Sequence, residues 1–410
     1  MTEAVRENAG RFQDRTTRVA VAASFFVQGL CFAALVTQVP VLREKHGLTD
    51  LQLSVVLLAV PVVAGVGSLL AGQLAKRWGS ATVVRGSVPM VCLSLLAAGV
   101  SPGRTGFFVA VAFFGLAVGV SDATMNMQGV SLERQYGRSI MGSFHAVWSG
   151  AGIVGAAISS ANEGFELPLW AGFGVAAVGG AILSVVAGPR LVTRATEQAL
   201  MPEAGLARTA PAVPWRPILL IGVAVSFMYI ADSATSNWSA EYLRHGLSSK
   251  AALAAWGYAA YQGCMLVGRA GADQLVRRFG SVRAVRTCSA VGVVGLALVV
   301  VAPDPVLAII GFGVLGLGLC AIAPQSFSAA SRYDPTGSGI AVSRVNLFNY
   351  VGFVVGAPLV GAVQAMSDWR VGFAVPLVVV AGLIPLAAAF RPARGHTTMP
   401  AGPPVPQAVP

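Results

Sequence analysis

A carboxylate inside an apolar run is the first feature of this sequence that calls for chemistry. Asp122 lies about two-thirds of the way along the run 107–130. Near the centre of a bilayer a charge costs at least about 2.5 to 3.5 kcal/mol on insertion scales, so such a residue is a candidate functional group. Gly115, Gly119, Asp122, Asn126 and Gly129 recur at spacings of three and four and form one helical stripe. Small residues on that stripe admit a close neighbour or a ligand, and the carboxylate and amide face the same way. Two roles fit Asp122: holding a proton or solute, or a structural hydrogen bond to the next helix. Asp232, on a face with Tyr229 and Ser236, is the second candidate. In an apolar cavity it would load and release a proton near neutral pH; at an outer end reached by water it would not.

Around these acids stand groups able to hold a polar solute. His145 shares a stripe with Trp148, Ser149, Gly152 and Gly155. It serves as a packing residue, a solute donor or a relay partner of Asp122, and Trp148 either packs or stacks on a ring or sugar face. Asn346, Asn349 and Tyr350 add amides and a phenol, and Gln28, Gln38 and Gln325 add more. The candidate solute-binding set is Gln28, Asn126, His145, Trp148, Tyr229, Asn346 and Asn349. Amides facing lipid would be left unpaired, so polar groups spread over so many apolar runs point to a wet central cavity. Arg269 and Asp273, four apart, are expected to neutralise each other, and no solute contact is assigned to them.

Several chemistries are excluded. GxxxxGK[ST] is missing, so direct ATP coupling is not expected. There is no CxxC pair and no histidine cluster, so no metal is expected, and no cofactor motif is found. The five cysteines all fall in apolar runs as packing or lipid-facing residues. No paired catalytic constellation appears beyond Asp122 with His145, so an enzyme is not expected.

The elements that must position these groups are membrane helices. Of 410 residues, 55% are hydrophobic and 11% charged, against roughly 25% charge in soluble domains. The formal charge of +11 is spread in short clusters between apolar runs, which excludes a nucleic-acid face. With about 20 residues needed to cross the hydrocarbon, twelve spans are predicted: 19–41, 53–75, 83–101, 107–130, 140–160, 168–188, 216–237, 252–272, 285–302, 306–328, 342–363 and 370–390. The fold class is all-α, polytopic, in two pseudo-symmetric six-helix bundles. The expected divisions are a cytoplasmic segment 1–18, a first bundle 19–188, a linker 189–215, a second bundle 216–390 and a disordered cytoplasmic tail 391–410. Lys and Arg concentrate in alternate loops, which places both termini in the cytoplasm.

An internal repeat underlies the two bundles. The stretch Gln73 to Ser80 (QLAKRWGS) matches Gln274 to Ser281 (QLVRRFGS) at a shift of 201, and Arg85 then falls on Arg286. The same shift puts Gly67 on Gly268, Gly115 on Gly316 and Gly155 on Gly356, but Asp122 on Ala323. Symmetry therefore marks the scaffold, and its failure at Asp122 marks the candidate site.

The loop Gly72 to Gly79, with its echo at Gly268 to Arg286, resembles the signature loop of the major facilitator superfamily. Within it, Met125 to Gly129 (MNMQG) and Ser143 to Gly150 (SFHAVWSG) resemble the fucose-permease-like branch and related bacterial inner-membrane proteins. The resemblance implies a secondary transporter of a small organic solute, proton-coupled and working by alternating access. Such a protein is expected to be a monomer in the lipid bilayer of the bacterial inner membrane, with solute and protons as its other partners. It leans toward uptake of a polar solute and leaves open efflux of a metabolite or antibiotic, with a non-transporting membrane sensor as the alternative of another class. Arg77, Gly79, Arg85, Arg278, Gly280 and Arg286 belong to the two loops and are expected either to gate or only to fix topology. Lys76 and Arg277 stand where the family loop usually has an Asp, and no Arg lies between Arg104 and Arg134, where multidrug exporters of the family carry one.

Overall fold

Helix boundaries follow from local chemistry at the ends of the apolar runs. A computed structural model describes residues 3–199, 213–334 and 337–391. Its first half comprises α1 (Glu3–Thr37), α2 (Val39–His46), α3 (Asp50–Trp78), α4 (Ser80–Val100), α5 (Arg104–Tyr136), α6 (Met141–Gly164) and α7 (Leu169–Ala187). A short helix α8 (Arg194–Ala199) follows. The second half comprises α9 (Trp215–Glu241), α10 (Ala251–Phe279), α11 (Ser281–Val301), α12 (Pro305–Leu319), α13 (Ile322–Ser331), α14 (Ile340–Met366), α15 (Trp369–Ala381) and α16 (Leu383–Leu386). Among the described residues there is no strand.

Caps set several of these starts. Thr49 and Gln52 exchange hydrogen bonds of 3.3 and 3.1 Å in a capping box at α3. Asp304 accepts from Val306 N (2.9 Å) and Leu307 N (3.1 Å) at α12, and Asp368 does the same for Arg370 N (2.7 Å) and Val371 N (3.0 Å) at α15. The first run was expected to continue to residue 41. It stops at Thr37, and Pro40 enters the first turn of the separate helix α2.

The shift of 201 recurs in three dimensions. It carries the start of α3 at Asp50 to that of α10 at Ala251, α4 at Ser80 to α11 at Ser281, and α5 at Arg104 to α12 at Pro305. A single glycine joins each pair of helices at the signature loop: Gly79 has φ 83 and ψ 149, and Gly280 has φ 79 and ψ 158. Only glycine holds that conformation without strain. Helix pairing repeats too, since α1 with α6, α3 with α5 and α4 with α7 correspond to α9 with α14, α10 with α12 and α11 with α15. At one crossing the backbones nearly touch. A Cβ added to Gly115 would stand 2.9 Å from the carbonyl oxygen of Val60, and one added to Gly316 would stand closer still to that of Tyr261, the residue 201 positions on from Val60.

Among the described residues, eleven helices are long and apolar enough to cross a membrane. The remaining predicted span lies in α10, whose 29 residues suffice in length but which carries Tyr258, Gln262, Arg269 and Asp273. The two charged side chains, Arg269 and Asp273, are buried and face protein. Exposed Leu93, Val109, Phe113, Val175, Ile182 and Val378 supply the apolar outer surface that lipid covers. Cys31, Cys92, Cys288 and Cys320 are buried, with Cys31 and Cys92 sulfurs 3.8 Å apart, so these four pack inside the helix layers. Helix continues beyond the predicted spans into both flanks, reaching Glu3 at one end of α1 and Tyr136 at one end of α5. Of the linker expected at 189–215, residues 194–199 form α8, while 200–212 and the tail from 392 onward lie outside the described residues.

Candidate functional site

The halves meet through α3 against α14 and α6 against α10. The hydrogen bonds that join them between described residues gather toward one end, that of the Gly79, Gly137 and Gly280 turns. Ser68 and Ser343 each donate to the other's backbone carbonyl, Ser68 at 3.1 Å and Ser343 at 2.5 Å. Asn346 Nδ2 donates to Ser68 Oγ at 3.1 Å. Asp273 of α10 accepts from Gly142 N (2.9 Å), Ser143 N (2.8 Å) and Ser139 Oγ (3.0 Å). Arg134 reaches the carbonyl of Ser331, and Arg277 that of Ser139 at 2.9 Å.

Deeper along the helices, Asp122 lies at the centre of a chain of polar contacts. Tyr350 of α14 donates its hydroxyl to Asp122 Oδ2 at 2.9 Å, across the two halves. Asn126, one turn along α5, donates to Asp122 Oδ1 at 3.1 Å. The Asn126 oxygen can only accept, so His145 Nε2 of α6 is the donor in their 3.2 Å contact. His145 is held between the rings of Phe25 and Phe327, at 5.5 and 5.9 Å. A line of donors thus runs from α14 through α5 to α6. His145 meets Asp122 through Asn126 rather than directly, which sequence spacing alone did not reveal.

The other predicted residues divide into two groups. Gln28 accepts from Trp148 Nε1 at 2.6 Å and so fixes the indole. Asp232 of α9 accepts from Tyr261 of α10 at 2.5 Å, a bond within the second half. Tyr229 is half-buried, with its Cβ against Gly352 of α14. Asn349 donates to Asn346 at 2.8 Å, and its own oxygen is buried with no partner among the described residues. Asn346 bonds Ser68 of the seam and also lies against Asp122 and Tyr350.

The expectation that Arg269 and Asp273 neutralise each other fails. Asp273 turns to the N–H groups of α6 instead. Arg269 lies over the Trp148 ring, 6.0 Å from its centroid, and donates to Ser149 Oγ at 2.5 Å.

At the signature loops, Arg77 and Arg278 are exposed and lie over the neighbouring rings of Trp78 (5.5 Å) and Phe279 (5.3 Å). Arg85 donates to Gly188 O at 2.8 Å, and Arg286 is exposed. Helix α8 is fastened beside Gly79. Its Glu197 accepts from Ser80 Oγ and from Gln128 Nε2 at 3.2 Å, while Arg194 donates to Arg77 O at 2.8 Å. Burial pushes the Glu197 carboxyl above the ordinary glutamate range, and the hydrogen bonds from Ser80 and Gln128 oppose part of that shift. Glu197 and Glu133 were not singled out from sequence. The only signal for Glu133 was an acid placed shortly before a helix start.

The family model described as Major Facilitator Superfamily matches residues 7–156 and 221–406. The chain belongs to the major facilitator superfamily. It is 28% identical over 370 residues to an uncharacterized MFS-type transporter of Yersinia pestis, covering 89% of this chain and 92% of that protein. Among solved structures, the E. coli fucose:proton symporter superposes with a TM-score of 0.72 at 13% identity, covering 91% of this chain and 98% of the other. A bacterial homologue of the iron transporter ferroportin, in an outward-facing state, gives 0.71 at 14% identity and the same coverage. These likenesses show the fold. Membership of the superfamily makes the chain a multi-pass secondary transporter and not an enzyme.

Proposed function

We propose that this transporter moves a small polar organic solute by alternating access, coupled to a proton carried by Asp122. The observation that carries the reading is the hydrogen bond from Tyr350 to Asp122, which joins the two halves through a titratable group. While ionised, the carboxylate accepts strong charge-assisted bonds from Tyr350 and Asn126. Protonation weakens that tie and frees α14 to move away from α5. Asp232, bonded to Tyr261 inside one half, is the second proton-binding candidate. A polar solute is supported by the unpartnered Asn349 oxygen, the positioned Trp148 and the half-buried Tyr229. Uptake with protons is supported by the likeness to a structure titled a fucose:proton symporter.

The distribution of basic loops supports both termini lying on the cytoplasmic side of a bacterial inner membrane, and the proposed working unit is a monomer. In that orientation the bonded seam closes the cytoplasmic side. The arginines and glycines of the signature loops, Arg77, Gly79, Arg85 and their counterparts Arg278, Gly280 and Arg286, act as the framework on which that side opens. The test is transport in proteoliposomes with an imposed pH gradient and a panel of sugars, polyols and organic acids. Wild type accumulates its solute, whereas Asp122→Asn exchanges it without accumulation. Full proton-driven accumulation by Asp122→Asn overturns the assignment.

A further inference from the structure

Arg269 is the buried cation that the seam leaves without a counterion. It is 4% exposed, and among the described residues no carboxylate lies within 4.0 Å of it. Its Nε is buried with no hydrogen-bond partner among the described residues, while Ser149 Oγ accepts from Nη1 at 2.5 Å. The neighbour expected to neutralise it, Asp273, spends both oxygens on α6. Taking a guanidinium out of water costs several kcal/mol unless charge and hydrogen bonds are returned to it. One serine hydroxyl and an indole face return little of that.

The surroundings have the character of a binding wall. Trp148, held in place by Gln28, lies beneath the guanidinium, and both Trp148 and Ser149 are partly exposed. On the same helix face, Gln262 donates to the Tyr258 hydroxyl at 2.6 Å, and Tyr258 is 39% exposed. Its contact with the Trp148 ring places the guanidinium beside the candidate solute-binding set, to which Trp148 belongs. It also reaches from α10 in one half to α6 in the other, so a group bound there touches both halves.

From these contacts we infer that the transported solute carries a carboxylate, and that Arg269 is the subsite that binds it. This rests on the transport reading above but not on which group carries the proton. A guanidinium offers parallel N–H donors matched to a carboxylate, and the free Nε is one edge of that fork. Trp148 packs against the part of the solute next to the acid group.

The test is equilibrium binding to the purified full-length protein, which needs neither transport nor coupling. Thermal stability is followed with acetate, lactate, glucuronate and benzoate, each against its uncharged amide at matched sodium chloride. At least one acid should raise the melting temperature where its amide does not. Arg269→Gln should weaken that acid about tenfold or more. Arg269→Lys, which keeps the charge without the planar fork, should bind with intermediate affinity and guards against misfolding of the glutamine variant. The inference is overturned if acid and amide act alike, if sodium chloride alone gives the same shift, if no acid in the panel stabilises the protein, or if the acid's effect survives in Arg269→Gln. A positive result here with proton-driven accumulation intact in Asp122→Asn would sink the coupling assignment and leave the anion subsite standing.

Discussion

Glu133 and Asp273, from opposite halves, divide between them the first N–H groups of α6. Glu133 accepts from Ile140 (2.9 Å) and Met141 (3.0 Å), and Asp273 from Gly142 (2.9 Å) and Ser143 (2.8 Å). Only the Ser143 N–H has a backbone partner as well, the carbonyl of Ile140 at 3.2 Å, and carboxylates suit the positive end of the helix dipole. Glu133 belongs to α6's own half and remains when the halves part. If the halves part as the proposed alternating access requires, Asp273 must let go and α6 exchanges one of its two caps in each cycle.

Asp273→Ala leaves the Gly142 N–H without its acceptor and the Ser143 N–H with the Ile140 carbonyl alone, at a cost of about 1–3 kcal/mol to the closed seam. The expected outcome is faster labelling of a cysteine placed at Ser143 by a membrane-impermeant maleimide applied to the loop side. Glu133→Ala should lower thermal stability in detergent without that selective gain in access.

Tyr350→Phe removes the hydroxyl that reaches Asp122 and keeps the ring. Uphill transport should fall about tenfold, the equivalent of roughly 1.4 kcal/mol, while solute exchange without a gradient persists. An equal loss in both assays would show Tyr350 to be a solute contact and not a coupling residue.

The two signature-loop glycines should respond unequally. Alanine at either one meets a backbone conformation that costs about 1–3 kcal/mol. A Cβ at Gly79 would also stand 2.9 Å from the Cβ of Arg194, whereas one at Gly280 meets nothing within 4 Å. Gly79→Ala should therefore lower the melting temperature more than Gly280→Ala, and it should expose the segment around Arg194 to protease.

Docking of α8 should depend on pH through Glu197. Its carboxyl titrates above the ordinary glutamate value when α8 is docked, so the docked state binds its proton more tightly than the released state. The proton-linked stabilisation is complete below the ordinary value and is lost as pH rises through the raised one. Proteolysis of the 191–199 segment should quicken over that window. In Glu197→Gln, which is neutral throughout, the pH dependence should vanish; an unchanged profile would mean that another group controls docking.

Most of the scaffold was legible because lipid imposes a simple rule on composition. Apolar length located the spans, and the repeat shift anticipated that α3, α4 and α5 would share starting registers with α10, α11 and α12. The ends were less legible, since apolar length measures hydrocarbon thickness while helices such as α1 and α5 continue past it. Asp122 stood out from the sequence because it breaks both the hydropathy and the repeat. Its partner Tyr350 did not, because contact across the halves depends on how two bundles lean together. Arg269 and Asp273 show the limit of local rules. Spacing of four favours a pair on an isolated helix, but the first peptide N–H groups of α6 hold the carboxylate instead.

The crossing of Gly115 over Val60, repeated by Gly316 over Tyr261, separates what a duplicated fold must keep from what it is free to change. In both copies the glycine packs on a main-chain oxygen, which every amino acid supplies. That backbone contact does not depend on the side chain at the position, although the Tyr261 ring is itself fully buried. One copy has an aliphatic valine there, and the other has the tyrosine that donates to Asp232. The duplicated crossing thus keeps one backbone contact with valine in one half and tyrosine in the other, so the side chain beside Asp232 differs between the halves while the contact that joins the helices does not.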